Sequence, residues 1–241
     1  MLAANRDEFH GRPTRQAGFW PNRPRLLAGR DEQAGGTWLG VSLDGRLAAV
    51  SNYREPDPPA APESRGRLPL DFLDREVPAA EYAAHVDRRR ERFGGFNLLL
   101  CDGRELHYLS NRAGAPRRLE PGIYGLSNHL LDTPWPKTCR VRDALAAALE
   151  GARPDRAGLF EALADTSGAP DSELPDTGVG VERERLLSPP FVAGDRYGTR
   201  SSSVVVIDAD GGLDFEERSF APGGAADSRR RYRCRVRWPG P

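Results

Sequence analysis

Lysine is nearly absent from this chain: of 35 basic residues only Lys137 is a lysine, and Met1 is the only methionine. Such a skew reads as GC-rich codon usage and by itself carries no functional signal. Net charge is absent as well, because 35 acidic residues cancel the basic ones. That balance removes the global field that recruits nucleic acid or an anionic membrane, so partners have to be argued locally. The three cysteines, Cys101, Cys139 and Cys234, lack CxxC or Cys/His spacing, which argues against a disulfide framework and a zinc site. The four histidines, His10, His85, His107 and His129, show no metal spacing either, so no metal is expected. No stretch approaches the roughly 20 apolar residues of a membrane span, and no basic region precedes an apolar core at the start. A soluble, cytoplasmic protein is expected.

What is present is enough for one core: 241 residues, 38% of them hydrophobic, suit a single domain. Residues 2–5 read as the end of a strand that runs into a Pro-rich surface loop through Pro21. Asp44-Gly45 lies between the apolar runs 38–43 and 46–51, and Asp102-Gly103 between 96–101 and 106–110. Each pattern predicts a hairpin, because both turn residues tolerate positive φ. Asp210-Gly211-Gly212 marks a third, between 202–208 and 213–218. A further strand is expected at 122–128. Helical spacing appears at Leu70, Phe72 and Leu73, then through Tyr82, Ala83, Val86 and Phe93. Helices are also expected over 141–149 and 159–163, the latter with Pro154 in its first turn. Hairpins, then helices, then hairpins argue for antiparallel sheets covered by helices rather than a doubly wound parallel sheet. Gly35-Gly36 lacks the strand-to-helix context of a phosphate loop and reads as a close backbone approach.

Ordered fragments carry a resemblance. Asn5-Arg6-Asp7-Glu8-Phe9, Gly35-Gly36-Thr37-Trp38-Leu39-Gly40, Asn52-Tyr53-Arg54, Leu126-Ser127-Asn128, Asp132 to Lys137 and Tyr197 to Ser202 follow one another. In that order they resemble the NRDE family, also called the transport and Golgi organisation protein 2 family. The resemblance covers about Leu2 to Phe220. It implies an α+β fold, the four-layer αββα sandwich of mainly antiparallel sheets seen in N-terminal-nucleophile hydrolases, with the first strand missing or incomplete. Residues 1–221 form the family domain on this reading, and 222–241 form a basic C-terminal tail. That tail runs Arg229-Arg230-Arg231-Tyr232-Arg233-Cys234-Arg235-Val236-Arg237-Trp238. Its period of two allows an amphipathic edge strand or a basic arm, although a frayed extension is the favoured expectation.

The resemblance also implies a chemistry, the hydrolysis of a linear amide. Members begin Met-Cys and then a hydrophobic strand, whereas this chain enters at that strand's end and carries Leu2, so the nucleophile lies outside it. A start placed too far downstream is the favoured explanation over a lost strand, which would leave unpaired backbone groups. Arg6 would lower a thiol pKa, Asp7 would orient the terminal amine, Asn52 and Asn128 would face an oxyanion, and Arg200 would complete a charged pocket. Plainer readings stand beside these. Arg6 and Asp7 form a structural ion pair, and Asn52 and Asn128 cap turns.

Asn5, Trp38, His129 and Trp135 are the candidate ligand contacts, Trp38 and Trp135 also reading as core or lid aromatics. Residues 166–190, rich in Gly, Pro and Asp, read as an excursion near the ligand side. Three functions follow: a cysteine-dependent amidohydrolase if an upstream Met-Cys is restored, a non-enzymatic binder or carrier of a hydrophobic anionic ligand such as haem or an acyl lipid, or an interaction protein using the basic tail. Arg6 and Arg200 would contact the carboxylates of a haem or acyl ligand. No cofactor is expected beyond haem as a bound ligand. The partner is a small molecule, not nucleic acid.

Overall fold

The computed structural model describes residues 1–58 and 60–237; Pro59 and residues 238–241, the end of the expected basic tail, lie outside the described residues. Strands β2 (Thr14–Trp20), β3 (Arg23–Asp31), β4 (Leu39–Ser42), β5 (Leu47–Asn52), β6 (Phe96–Cys101), β7 (Leu106–Ser110) and β8 (Arg117–Leu119) form a seven-stranded sheet in chain order. Every pair in it is antiparallel. The second sheet has the order β1-β9-β10-β11, built from β1 (Leu2–Phe9), β9 (Tyr197–Ile207), β10 (Gly212–Phe220) and β11 (Ala226–Arg235), again antiparallel.

Three apolar cores define four layers. Helices α1 (Arg67–Leu73) and α2 (Ala79–Asp87) bury Phe72, Ala79, Tyr82 and Val86 against Ala28, Ala48, Leu98 and Leu100 of the larger sheet. Leu27, Leu39 and Val41 of that sheet meet Val205, Leu213 and Phe215 of the smaller one. Helices α3 (Pro136–Ala148) and α4 (Arg156–Leu163) then cover the smaller sheet's other face, with Leu159, Phe160 and Leu163 on Val204. Alternation along β9 explains the arrangement, since Val204 and Val205 point to opposite faces of one strand. The expected α+β sandwich, helices outside two antiparallel sheets, is therefore what these residues build.

The three expected hairpins form, with Gly45, Gly103 and Gly211 at φ 79°, 88° and 79°, where a side chain would be strained. Several expectations need correction. Residues 2–9 are one continuous strand, and the loop expected up to Pro21 contains β2. The strand expected at 122–128 is irregular, because Asp132 closes it as a loop. Its Oδ1 accepts from the Gly125 amide at 2.7 Å, and its own amide donates to the Gly125 carbonyl at 2.7 Å. Pro154 precedes α4 rather than entering it, and the Asp155 side chain caps the helix on the amides of Ala157 and Gly158, the usual use of an acidic N-cap. The frayed extension is instead β11, in register with β10 from Gly212↔Arg235 to Phe220↔Ala226. Its even residues Tyr232 and Cys234 pack on the inter-sheet core, while Arg231 and Arg233 stand opposite Glu216 and Asp214.

Gly36 is the close approach expected of Gly35-Gly36: a Cβ there would lie 2.4 Å from the Gly66 carbonyl. Backbone cannot swing aside as a side chain can, so Gly36→Ala is expected to cost about 1–3 kcal/mol. Gly11→Ala, where a Cβ meets nothing within 4 Å, is expected to stay within about 0.5 kcal/mol of the parent. Urea unfolding of both variants checks the contrast.

Candidate functional site

β1 and β9 set the geometry at one end of the sandwich. Arg6 pairs with Ser201 and Asp7 with Thr199, so the register shifts between them and Arg200 has no partner. Bulges of this kind re-aim side chains. Asn5 braces the sheet against the helical layer: its amide donates to the carbonyls of Leu163 at 2.7 Å and Pro190 at 2.8 Å, and its oxygen accepts from Ser202 Oγ at 2.6 Å. Arg6 turns toward the other sheet and stacks 4.2 Å over Trp38. Its side chain is only 9% exposed, its one ion-pair contact among the described residues is Glu8 at 3.9 Å, and its Nη1 has no partner. Burial lowers the Arg6 pKa against the pull of Glu8 and Asp31. Arg200 donates through one nitrogen to the carbonyls of Phe9, His10 and Arg12 at 2.9–3.2 Å, which makes it a clamp on that turn.

Asp7 faces the helices. Its carboxylate accepts from Thr199 Oγ1 at 2.7 Å. Burial pushes its pKa up, opposed by the charges of Lys137, Arg54 and Arg6 and by the Thr199 bond. Lys137 enters from the first turn of α3, where Pro136 presets the helix. It is 8% exposed and donates to the Leu187 carbonyl at 2.9 Å. Burial lowers its pKa from 10.5 to about 8, with Asp7 and Glu184 pulling the other way. Arg54 pairs with Glu184, both side chains buried, and its guanidinium lies 4.7 Å over Trp135. Glu184, from α5 (Val181–Leu186) in the 166–190 excursion, also accepts from the Thr177 amide at 3.0 Å and its hydroxyl at 2.5 Å.

The loop 126–135 closes on the end of β5. Asn128 Nδ2 donates to the Asn52 carbonyl at 3.1 Å, and the Asn128 carbonyl accepts from the Arg54 amide at 2.6 Å. The His129 ring lies between Tyr53, at 4.9 Å, and Trp135, at 5.6 Å, with Nδ1 2.8 Å from Thr133 Oγ1. Burial lowers its pKa. Thus Asp7, Arg54, Lys137, Asn128, His129 and Trp135 share one neighbourhood. Arg6 and Trp38 lie on the opposite face of β1, so Arg6 and Asp7 do not form the ion pair considered above.

A small cleft opens there, walled by Trp135, Pro136, Pro175 and Leu187, with Arg54 and Lys137 among its lining. Arg54, Lys137 and Glu184 were not among the sequence candidates. Lys137 stood out as the single lysine, and Arg54 lay in a quoted fragment. Glu184 carried no local signal, because its importance comes from a partner 130 residues away. The thiols lie elsewhere. Cys101 pairs with Leu47, at the far end of β5 from Asn52, and burial pushes its pKa up. Cys139 lies on α3 and Cys234 on β11. Among the described residues no group of three or more His, Cys, Asp or Glu side chains could hold a metal ion, and no helix is long and apolar enough to cross a membrane.

These layers and strand orders define an α+β protein of the antiparallel sandwich class. The family model for Transport and Golgi organisation 2 matches residues 1–222, and the chain belongs to that family. It is 36% identical over 237 residues to the human Transport and Golgi organization protein 2 homolog, covering 91% of this chain and 86% of the human one. The bovine homolog is 37% identical over the same shares. The Drosophila melanogaster Transport and Golgi organization protein 2 is 24% identical over 246 residues, again covering 91% and 86%.

A lone lysine makes the cleft directly measurable. With lysine labelled at Cε, the single resonance is expected to titrate with a midpoint of about 8; a midpoint at the ordinary 10.5 would contradict the burial. Between those values only the unfolded chain holds the proton, so stability rises with pH across that window, by about 3 kcal/mol. Lys137→Met should lack this rise in pH-dependent urea unfolding.

Proposed function

We propose that this protein binds a small ligand with an apolar body and an anionic head in the cleft beside Lys137. One observation carries the reading: the chain's only lysine is 8% exposed among apolar walls, and the Leu187 carbonyl takes one of its three N–H donors. An ammonium so placed costs desolvation unless an anion pairs with it. Asp7 and then Glu184 are the carboxylates that act on Lys137, and Glu184 is already paired with Arg54. The idle Nη1 of Arg6 on the other face of β1 adds positive potential. Arg200, spent on three carbonyls, is not a ligand contact in this reading.

Size narrows the ligand. The enclosed part of the cleft has little more room than a water needs, which suits a carboxylate head with a short acyl chain lying along the walls rather than haem. A carrier of such a molecule accords with relatives named for transport, and three scattered thiols accord with the cytosol. The second reading, a linear-amide hydrolase, draws on the helix-sheet-sheet-helix layering with Arg6 and Asp7 on β1, the arrangement of N-terminal-nucleophile hydrolases.

Calorimetric titration with sodium octanoate, octanol and octyltrimethylammonium tests the reading. Octanoate is expected to bind about 10–100-fold more tightly than octanol, the worth of a charge-assisted bond, and to weaken as pH rises through about 8, where the ammonium is lost. Lys137→Met should remove the preference. Equal affinity for all three ligands, or an unchanged variant, would rule the site out. Release of glycine from N-octanoylglycine would decide for the hydrolase.

A further inference from the structure

We propose that the outer edge of β11 is a docking site for an acidic extended segment of another protein, added as a further strand to the smaller sheet. β11 ends the strand order, and among the described residues no strand pairs with its outer side. Its backbone ties beyond β10 come only past its end, from Val236 to the Gly211 carbonyl and from Arg237 to the Leu43 carbonyl. An edge of this length presents alternate N–H and C=O groups for pairing.

Charge selects the occupant. From Arg229 to Arg237 there are six arginines and no acid, in a chain whose total charge is zero. On the helix-side face the fixed counter-charges are Asp214 and Glu216 of β10. Asp214 takes Arg231 at 2.6 Å, Arg233 at 3.3 Å and Arg156 at 2.9 Å, while Glu216 takes Arg229 at 2.8 Å and Arg156 at 2.6 Å. Guanidiniums outnumber carboxylates there, and Arg229 and Arg233 keep 57% and 67% of their side chains exposed. Opposite charges side by side on neighbouring strands each contribute roughly 0.2–1 kcal/mol. A second copy does not fit, because pairing two β11 edges sets arginine beside arginine.

The other face selects apolar residues. Tyr232 and Cys234 pack on the inter-sheet core, and Phe19, 39% exposed, stands edge-on to Tyr232 at 5.7 Å. An incoming strand that alternates acidic and apolar residues thus meets arginines on one side and this aromatic seat on the other. A nucleic acid matches the first feature but offers no backbone for the free edge. The family match ends at residue 222, before β11, so this partner is not one the family membership supplies.

Fluorescence anisotropy with a labelled peptide alternating glutamate and valine tests the proposal, using the full chain. The peptide is expected to bind, and methylating the amides of its pairing edge should weaken it at least tenfold. The paired change Arg231→Gln and Arg233→Gln should weaken it severalfold, with the urea midpoint measured alongside to confirm folding. Hydrogen exchange of the outer β11 amides should slow when peptide is added. Equal binding of the methylated peptide, displacement by oligothymidylate of matched charge, or no binding at low salt would each overturn the proposal.

Discussion

β1 pairs with β9 from Leu2↔Val205 to Phe9↔Tyr197, and the irregularity in that ladder between Arg6 and Asp7 sorts the charges at one end of the molecule. Neighbouring residues of a strand face opposite ways, so the cation enters the space between the sheets and the carboxylate enters the helical layer. Each then finds a different environment: Trp38 for one, Thr199 with Lys137 and Arg54 for the other. Arg200, left unopposed, ties down the chain where it leaves the sheet. The tightly spaced Arg-Asp pair thus serves two compartments rather than one.

The charges in the helical layer are expensive to keep. Desolvating an ion costs several kcal/mol even after relaxation, and a buried pair offsets this only with good geometry and further hydrogen bonds. Arg54 and Glu184 meet that condition, because Glu184 also accepts two bonds from Thr177, and Arg54 is stacked on Trp135. This pair joins the end of β5 to the excursion that walls the cleft, so the shape of the cleft rests on an electrostatic contact instead of on apolar packing. Lys137 has no such close carboxylate and is the less settled member of the group.

Much of the fold was legible in advance. Asp-Gly turns between apolar runs announced the hairpins, because that signal is local, and the order of fragments along the chain announced the layering. The strand at 2–9 was harder to see. Its apolar start, Leu2 to Ala4, gives way to Asn5-Arg6-Asp7-Glu8, polar on both faces, so no alternation of apolar with polar residues appears. At 122–128 strand-like residues were overruled by Asp132, whose two bonds to Gly125 make a loop. Among site residues, Asp7, Asn128, His129 and Trp135 do gather at one end of the sandwich, while Arg54, Lys137 and Glu184 emerged only in three dimensions. β11 shows the reverse case, a run of arginines read as a frayed extension that Asp214 and Glu216 on β10 supply with counter-charges.

Strand order also has a temporal side. The seven-stranded sheet joins each strand to the next one in the chain, so it assembles as residues emerge. β1 does not, for its neighbour β9 begins at Tyr197. At about 5–20 residues per second, β1 waits roughly 10–40 s on the ribosome with its hydrogen-bonding groups unmatched. Vectorial synthesis therefore leaves β1 exposed to chaperones and to misassociation until β9 has been made.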